Sequence, residues 1–101
     1  MIFFTKPLSR IKAHTERNDY MVIIEELKNG ICKLNVTVQK ENIPLDKGLI
    51  ESGILDSYSF IQFIAFIEET FDIDILDEEI NNTNFADLNT ITALIETKRQ
   101  G

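Results

Sequence analysis

The chain has 101 residues, of which 44% are apolar and 27% charged, and its ten basic and seventeen acidic side chains leave a net charge of −7. That length suffices for one compact domain and not for two, since independent domains usually run to about 100 to 150 residues, and the composition is that of a soluble globular protein, neither a disordered tail nor a membrane span. The acid excess repels phosphate backbones and anionic bilayers, which excludes nucleic acid and membranes as partners and favours proteins with basic patches. So small an interior also leaves little room for a substrate cleft with a full catalytic apparatus, and a binding or carrier role is the starting expectation.

The charge is unevenly distributed. The first twenty residues hold Lys6, Arg10, Lys12 and Arg17 against Glu16 and Asp19, a net +2, whereas everything from Met21 onward carries six basic and fifteen acidic residues, a net −9. The change of sign divides the chain into a basic extension, 1–20, and an acidic domain, 21–101, with Met21 as an alternative natural start. Ile2, Phe3 and Phe4 form an apolar run that Lys6 and Pro7 end, too short for a signal-peptide core. The Arg-containing, acid-poor start leaves a transit peptide open beside a flexible or loosely helical extension. Cys32 is the single cysteine, so no internal disulfide or cysteine metal cage is possible, and the chain suits a reducing compartment, the cytoplasm. Its expected role is that of a small buried apolar side chain.

In the acidic part, Ile23, Ile24, Leu27, Ile31 and Leu34 recur at three- and four-residue steps and predict a first helix over 19–34, with Asn18 or Asp19 as its cap. Residues 35–48 are polar and contain Ile43-Pro44, which disfavours helix at Ile43. They predict a long loop, pinned to the core by Val36, Val38, Ile43, Leu45, Leu49 and Ile50. Gly53-Ile54-Leu55-Asp56-Ser57 leads into the strongest helical pattern, 57–71, capped by Asp56. Its buried stripe is expected to be Ile61, Ile64, Ile67 or Glu68, and Phe71. Phe60, Phe63 and Phe66 form a second apolar stripe, so this helix is either central in the bundle or partly exposed for a partner.

After the short connection Asp72-Ile73-Asp74-Ile75, Asp77-Glu78-Glu79-Ile80 suits one or two helical turns, with acids at the favourable N-terminal end. Asn81 to Asn84 breaks it. Leu88, Ile91, Leu94 and Ile95 give a last helix over 87–98 with a basic end at Lys98 and Arg99. No strand-period segment and no internal repeat is present.

Catalytic constellations are absent from this pattern. His14, the only histidine, lies in the basic extension, so a Ser-His-Asp arrangement has no placed base. The four glycines, at 30, 48, 53 and 101, make no phosphate loop. Asp72-Ile73-Asp74 with Asp77 fails as a calcium loop because Leu76 takes a ligand position and Asp77 the position that needs glycine. Asn35-Val36-Thr37 and Asn81-Asn82-Thr83 match the glycosylation pattern, which is irrelevant without secretion. What remains is Asp56-Ser57. Alone, such a pair is an ordinary helix start, but a hydroxyl at a helix N-terminus is well placed to carry a phosphodiester, because free N–H groups and the helix dipole stabilise the added negative charge.

At these residues the chain resembles the acyl carrier protein family, with its aminoacyl and peptidyl carrier branches, over roughly 22–98. Leu49-Ile50-Glu51-Ser52-Gly53-Ile54-Leu55-Asp56-Ser57 is similar to the family's attachment motif. The runs 68–75 and 77–80 resemble its end of the second helix, short loop and third helix. The resemblance implies an all-α four-helix bundle with a long loop between the first two helices and a short third helix. It implies a 4′-phosphopantetheine arm on Ser57, with Asp56 supporting, moved there from coenzyme A by a phosphopantetheinyl transferase with magnesium. The arm's thiol would hold the cargo as a thioester, the carrier would catalyse nothing, and the tether would raise the cargo's effective concentration at each partner enzyme.

Several positions depart from the family pattern. Tyr58 follows the serine where the family often has Leu or Met. On the exposed side of the same helix Ser59 and Gln62 stand where fatty-acid carriers commonly place acids, leaving Asp56, Glu68 and Glu69 as the acidic contacts. Partner binding is thereby assigned to Tyr58, Ser59, Gln62, Glu68 and Glu69. The Gly-Ile-Leu-Asp-Ser spelling leans toward stand-alone D-alanyl, aminoacyl or specialised acyl carriers. A monomer is expected, since a mobile carrier must expose the Ser57 region. The competing reading is an unmodified carrier-like module that acts only as an interaction scaffold. The Phe60, Phe63 and Phe66 stripe is open between core, cargo cleft and docking surface.

Overall fold

The computed structural model describes the backbone of residues 16–100 and the side chains of residues 20–99. Among the described residues, three α-helices, α1 (Glu16–Leu34), α2 (Ser57–Phe71) and α3 (Leu88–Gln100), and two single 3-10 turns, Lys40–Asn42 and Asp77–Glu79, make up the regular structure, and no strand occurs. The architecture is all-helical, as expected. The short third helix of a four-helix arrangement is present only as the Asp77–Glu79 turn.

α1 touches both other helices, and its inward face is Ile23, Ile24, Leu27 and Ile31, each at most 1% exposed. It begins upstream of the expected caps, so Asn18 and Asp19 lie inside the helix. A capping side chain is worth only about 1 kcal/mol, and extending an existing helix costs little, so the good helix formers Glu16 and Arg17 are included. The helix runs unbroken through Met21, where the charge changes sign. His14 and the rest of residues 1–15 lie outside the described residues.

α2 does not occupy the centre, a place taken by α1; it is the partly exposed alternative. Its boundaries match expectation, but its rotation does not. Phe63, Ile64 and Ile67 are buried, whereas Ile61 is 65% exposed. The core-facing row of half-buried Phe60 and buried Phe63, Ile64 and Ile67 contains two phenylalanines, and their larger apolar area wins that side. Phe66 stacks on Phe63 with ring centroids 6.2 Å apart, and it lies so close to Gly30 of α1 that a Cβ there would collide with its ring. Lys33 covers its outer side, 5.9 Å from the ring centroid.

The loop after α1 is pinned by buried Ile43 and Leu49 and half-buried Val38 and Leu45. Val36, 84% exposed, and Ile50 are not among its anchors. The Lys40–Asn42 turn is tied to α1 by the Lys40–Glu25 ion pair at 2.7 Å. Cys32 is half-buried rather than buried, its thiol donating to the Val38 carbonyl at 3.6 Å.

α3 starts on a reciprocal cap. The Thr90 N–H donates to Asp87 Oδ1 at 2.8 Å and the Asp87 N–H to Thr90 Oγ1 at 3.1 Å. The buried Thr92 hydroxyl is satisfied by the Leu88 carbonyl at 2.8 Å. Tyr20 joins the starts of α1 and α3 through a 2.8 Å bond from its hydroxyl to Asn89 Oδ1.

The Asp77–Glu79 turn stays short because asparagine side chains take the backbone groups a longer helix would use. Asn81 Oδ1 accepts from the N–H groups of Thr83 and Asn84, Asn81 Nδ2 donates to the Glu78 carbonyl, and Asn84 Nδ2 to that of Glu79. Glu79 anchors the turn to α3, accepting from Lys98 Nζ at 2.8 and 2.9 Å and from the Leu76 N–H at 2.8 Å.

Two outcomes follow from this packing. Phe63→Ala is expected to lower unfolding stability by about 3 to 5 kcal/mol, the full cost of a buried ring, measured by urea denaturation. The Glu79 carboxyl lies below the usual carboxylate range because Lys98, and secondarily the Leu76 N–H, bind its charged form. Its stabilising effect is therefore present above the unfolded-state pKa and lost as pH falls through the lower folded-state one. Melting curves of Glu79→Gln should lie below wild type near neutrality and converge with it as the pH falls through the lowered carboxyl's titration.

Candidate functional site

The segment 48–55 folds on itself before α2 begins. The Ser52 N–H donates to Gly48 O at 3.0 Å, that of Gly53 to Ile50 O at 3.0 Å, and that of Leu55 to Leu49 O at 3.0 Å. Gly53 has φ of +82°, a left-handed conformation that L side chains rarely adopt. Leu55, 2% exposed, plugs the segment into the core. Asn35, just after the end of α1, holds the outer part of this segment by donating from Nδ2 to the Ile54 carbonyl at 2.8 Å. Two residues after this plug the chain turns outward, and Asp56 and Ser57 stand in solvent.

Asp56 is extended, with φ −92° and ψ −179°, and caps α2 by accepting the Ser59 N–H on Oδ1 at 2.8 Å. That N–H, and next the Ser59 hydroxyl, hold its carboxyl below the usual range, so it is anionic near neutrality. Ser57 is the first residue of α2 and is exposed. Its neighbours make the hydrogen bonds of this corner, Ser52 Oγ to Leu49 O and Ser59 N–H to Asp56, and none engages the Ser57 hydroxyl among the described residues. An unengaged hydroxyl at the positive end of a fifteen-residue helix suits an added phosphodiester.

The other expected site residues separate into two groups. Tyr58, 72% exposed, Gln62 and Glu69 share the solvent side of α2 with Ser57. Ser59 and Glu68 are half-buried. Ser59 serves the Asp56 cap, and Glu68 Oε2 accepts the Ile75 N–H at 2.9 Å, tying down the connection after the helix. The left-handed Asp72, φ 56°, ends α2, and Asp74, Asp77 and Glu78 extend the acidic surface beyond it.

Beside the serine corner is a cleft of about 410 Å³ whose walls include Leu49, Ile50, Glu51, Phe60, Ile80 and Phe85. Phe60 meets Phe85 edge-on at 5.7 Å. Each member of the phenylalanine stripe is thus accounted for: Phe63 is core, Phe66 is stacked on it, and Phe60 forms a cleft wall. Phe85 and Asn35 had no sequence signal as site residues, since each is an isolated position in a polar loop. Ile61 could have been assigned to the solvent side by ranking the phenylalanine row first. Among the described residues no cluster of three or more His, Cys, Asp or Glu could hold a metal ion.

No family model matches the chain. It is 26% identical over 74 residues to a D-alanyl carrier protein of Lactobacillus helveticus (strain DPC 4571), covering 71% of this chain and 94% of the relative. A D-alanyl carrier protein of Lactobacillus delbrueckii subsp. bulgaricus is 40% identical over 52 residues, 52% of this chain and 61% of the relative. An acyl carrier protein of Coprothermobacter proteolyticus is 34% identical over 58 residues, 57% of this chain and 70% of the relative.

The backbone of this corner has a direct test. A Cβ at Gly53 meets no atom within 4 Å, so Gly53→Ala is expected to lose about 1 to 2 kcal/mol from conformational strain alone, read as a lower denaturation midpoint.

Proposed function

The chain belongs to the acyl carrier protein family, and from that premise we propose that it bears a 4′-phosphopantetheine arm on Ser57 and presents an acyl or aminoacyl group to partner enzymes. The observation that carries this reading is the exposed, unengaged Ser57 hydroxyl at the start of α2, preceded by an anionic Asp56. Carrier proteins are not enzymes, and the chain's own nucleophile, Cys32, is half-buried and bonded to Val38. The arm supplies the terminal thiol on which the cargo is held as a thioester.

Loading needs the chain to offer one group. The Ser57 oxygen forms a bond to the phosphorus of coenzyme A that bears the pantetheine, the bridging P–O bond breaks, adenosine 3′,5′-bisphosphate leaves, and the hydroxyl proton passes to a base of the transferase. After loading, the first-turn N–H groups and helix dipole of α2 stabilise the phosphodiester charge. Asp56 keeps the helix start in register and, as an anion beside the hydroxyl, suits a magnesium-bound donor held by the transferase.

The finer assignments belong to the same proposal. Residues 21–101 form the carrier domain and 1–20 a basic extension, and the Asp77–Glu79 turn stands in the place of the third helix of a four-helix carrier. The contact residues are Tyr58, Ser59, Gln62, Glu68 and Glu69. The partners are a phosphopantetheinyl transferase and loading and transfer enzymes with basic patches in a lipid or secondary-metabolite pathway. The carrier works as a cytoplasmic monomer. Among the described residues no helix is long and apolar enough to cross a membrane. The names of the D-alanyl carrier relatives favour an aminoacyl cargo.

Intact mass after incubation with coenzyme A, magnesium and a broad-specificity transferase tests the reading. Wild type is expected to gain one phosphopantetheine and Ser57→Ala none. Wild type left unmodified, also by a transferase from the source organism, leaves the scaffold reading instead.

A further inference from the structure

The cleft of about 410 Å³ lies within the size range of sites that enclose a ligand. Half-buried Phe60 and Phe85 are in its walls, and two further lining side chains, Ile50 and Ile80, are 46% and 36% exposed. Apolar side chains left exposed around a concave surface mark a docking site. Its border is acidic. Within 45–51 and 80–87, the two segments that carry most of the lining, Asp46, Glu51 and Asp87 stand against the single base Lys47. The start of α1 lies next to both segments. Tyr20 donates to Asn89 Oδ1 at 2.8 Å, and the Asn89 N–H donates to Leu45 O at 3.2 Å. Asn89 is three residues after Ala86 and Leu45 three before Gly48, and Ala86 and Gly48 both line the cleft. Before α1, residues 1–15 contain Lys6, Arg10 and Lys12 and no acid, with Ile2-Phe3-Phe4 at the far end, whereas residues 16–101 hold seven basic against all seventeen acidic side chains, a net −10. Phe4 is twelve residues from Glu16, up to about 40 Å of extended chain, so the apolar run has ample length to reach the cleft.

We propose that the cleft is the docking site of the chain's own first residues, with Phe3 and Phe4 against Phe60 and Phe85 and Lys6 over the acidic border at Glu51 and Asp46. The order of residues fits the surface: an apolar head followed two residues later by a cation meets an apolar cleft edged by carboxylates. A second copy of the chain is a poorer occupant, because it would bring two surfaces of the same sign together. The short tether to α1 gives the segment an effective concentration on the order of millimolar, so a contact of modest intrinsic affinity is populated. The docking itself does not depend on the reading of Ser57. Where that reading holds, an apolar cargo tethered at Ser57, three residues from Phe60, competes with the segment for the cleft, and the basic extension then governs how readily such a cargo is sheltered.

The test compares amide NMR spectra of the unmodified full chain and of a full-chain variant carrying both Phe3→Gln and Phe4→Gln. Both substitutions precede α1, and circular dichroism melts check that the helices are unchanged. Each ring removed is expected to lower the ratio of docked to undocked segment about tenfold or more. The amide signals of Ile50, Glu51, Ile80 and Phe85 should therefore move in the variant, and the ring-to-ring Overhauser contacts of Phe3 and Phe4 with Phe60 and Phe85, present in wild type, should be lost. A synthetic peptide of residues 1–12 added to the variant should move the same four amides back toward their wild-type positions. Val36→Gln, at an apolar residue outside the cleft that is 84% exposed, should leave them in place. Lys6→Gln is expected to shift them partway at about 0.1 M salt and to match wild type at about 1 M, where the screening length is about 3 Å. Cleft amides that do not respond to the double substitution, or a response confined to another face of the molecule, overturn the proposal. Cleft shifts that grow with protein concentration assign the site to a second copy and overturn it as well. Because the chain is tested without an arm, failure here leaves the carrier reading standing, and failure of Ser57 to load leaves this result unaffected.

Discussion

The burial of Phe63 sets the rotation of α2, and most of what this protein offers to a partner depends on that angle. Once this ring is fully enclosed, Ile64 and Ile67 must follow it inward, Phe60 is turned to the cleft, and Phe66 lies over Gly30. By the same rotation Ser57, Tyr58 and Ile61 face solvent. A rotation of one residue, about 100°, would bury the hydroxyl's row and expose a phenylalanine. Core packing and the presentation of Ser57 are thus two sides of one helix, and neither can be altered without the other.

A second constraint acts from the loop. A hydroxyl that is to be reached must stand on something rigid, and here the support is made by apolar plugs and a few backbone bonds. Leu49 and Leu55 are both buried and joined by the Leu55 N–H to Leu49 O bond. Asn35 ties Ile54 back to the end of α1. Gly53 supplies the positive φ that lets the chain turn between these anchors. Asp56 then caps α2, so the position of Ser57 is determined from both the loop side and the helix side.

Much of this was legible from residue spacing. The ends of α2, the inward face of α1, the Asp56 cap and the Ile91–Ile95 face of α3 all follow from local rules that a single sequence carries. Rotation was harder to read. With Phe60, Ile61, Phe63, Ile64, Phe66 and Ile67 all apolar, periodicity permits more than one buried row, and only the competition for space against α1 selects among them. The Asp77–Glu79 turn shows a different limit. Its acids favour a helix start, but Asn81 and Asn84 bond to backbone atoms of the same turn, a competition that composition suggests without giving its outcome. Glu68 is a third case. As a charged residue late in a helix it reads as a partner contact, and its spacing gives no sign of the second role it has, accepting a backbone N–H from seven residues away.

The placement of charge along α2 separates attraction from contact. Glu69 lies twelve residues from Ser57, about 18 Å along the axis at 1.5 Å per residue. At physiological ionic strength the screening length is about 8 Å, so the acids at Glu69 and beyond it bias the approach of a basic partner while adding little at the serine. Asp56, the carboxylate beside the hydroxyl, already accepts from Ser59. A partner drawn by charge alone would settle at the acidic end of the helix, more than two screening lengths from the group it must reach. The uncharged first turns, with Tyr58 and Ile61 exposed, are what can distinguish the productive pose from that one, since apolar contact acts only at close range and only where the two surfaces match.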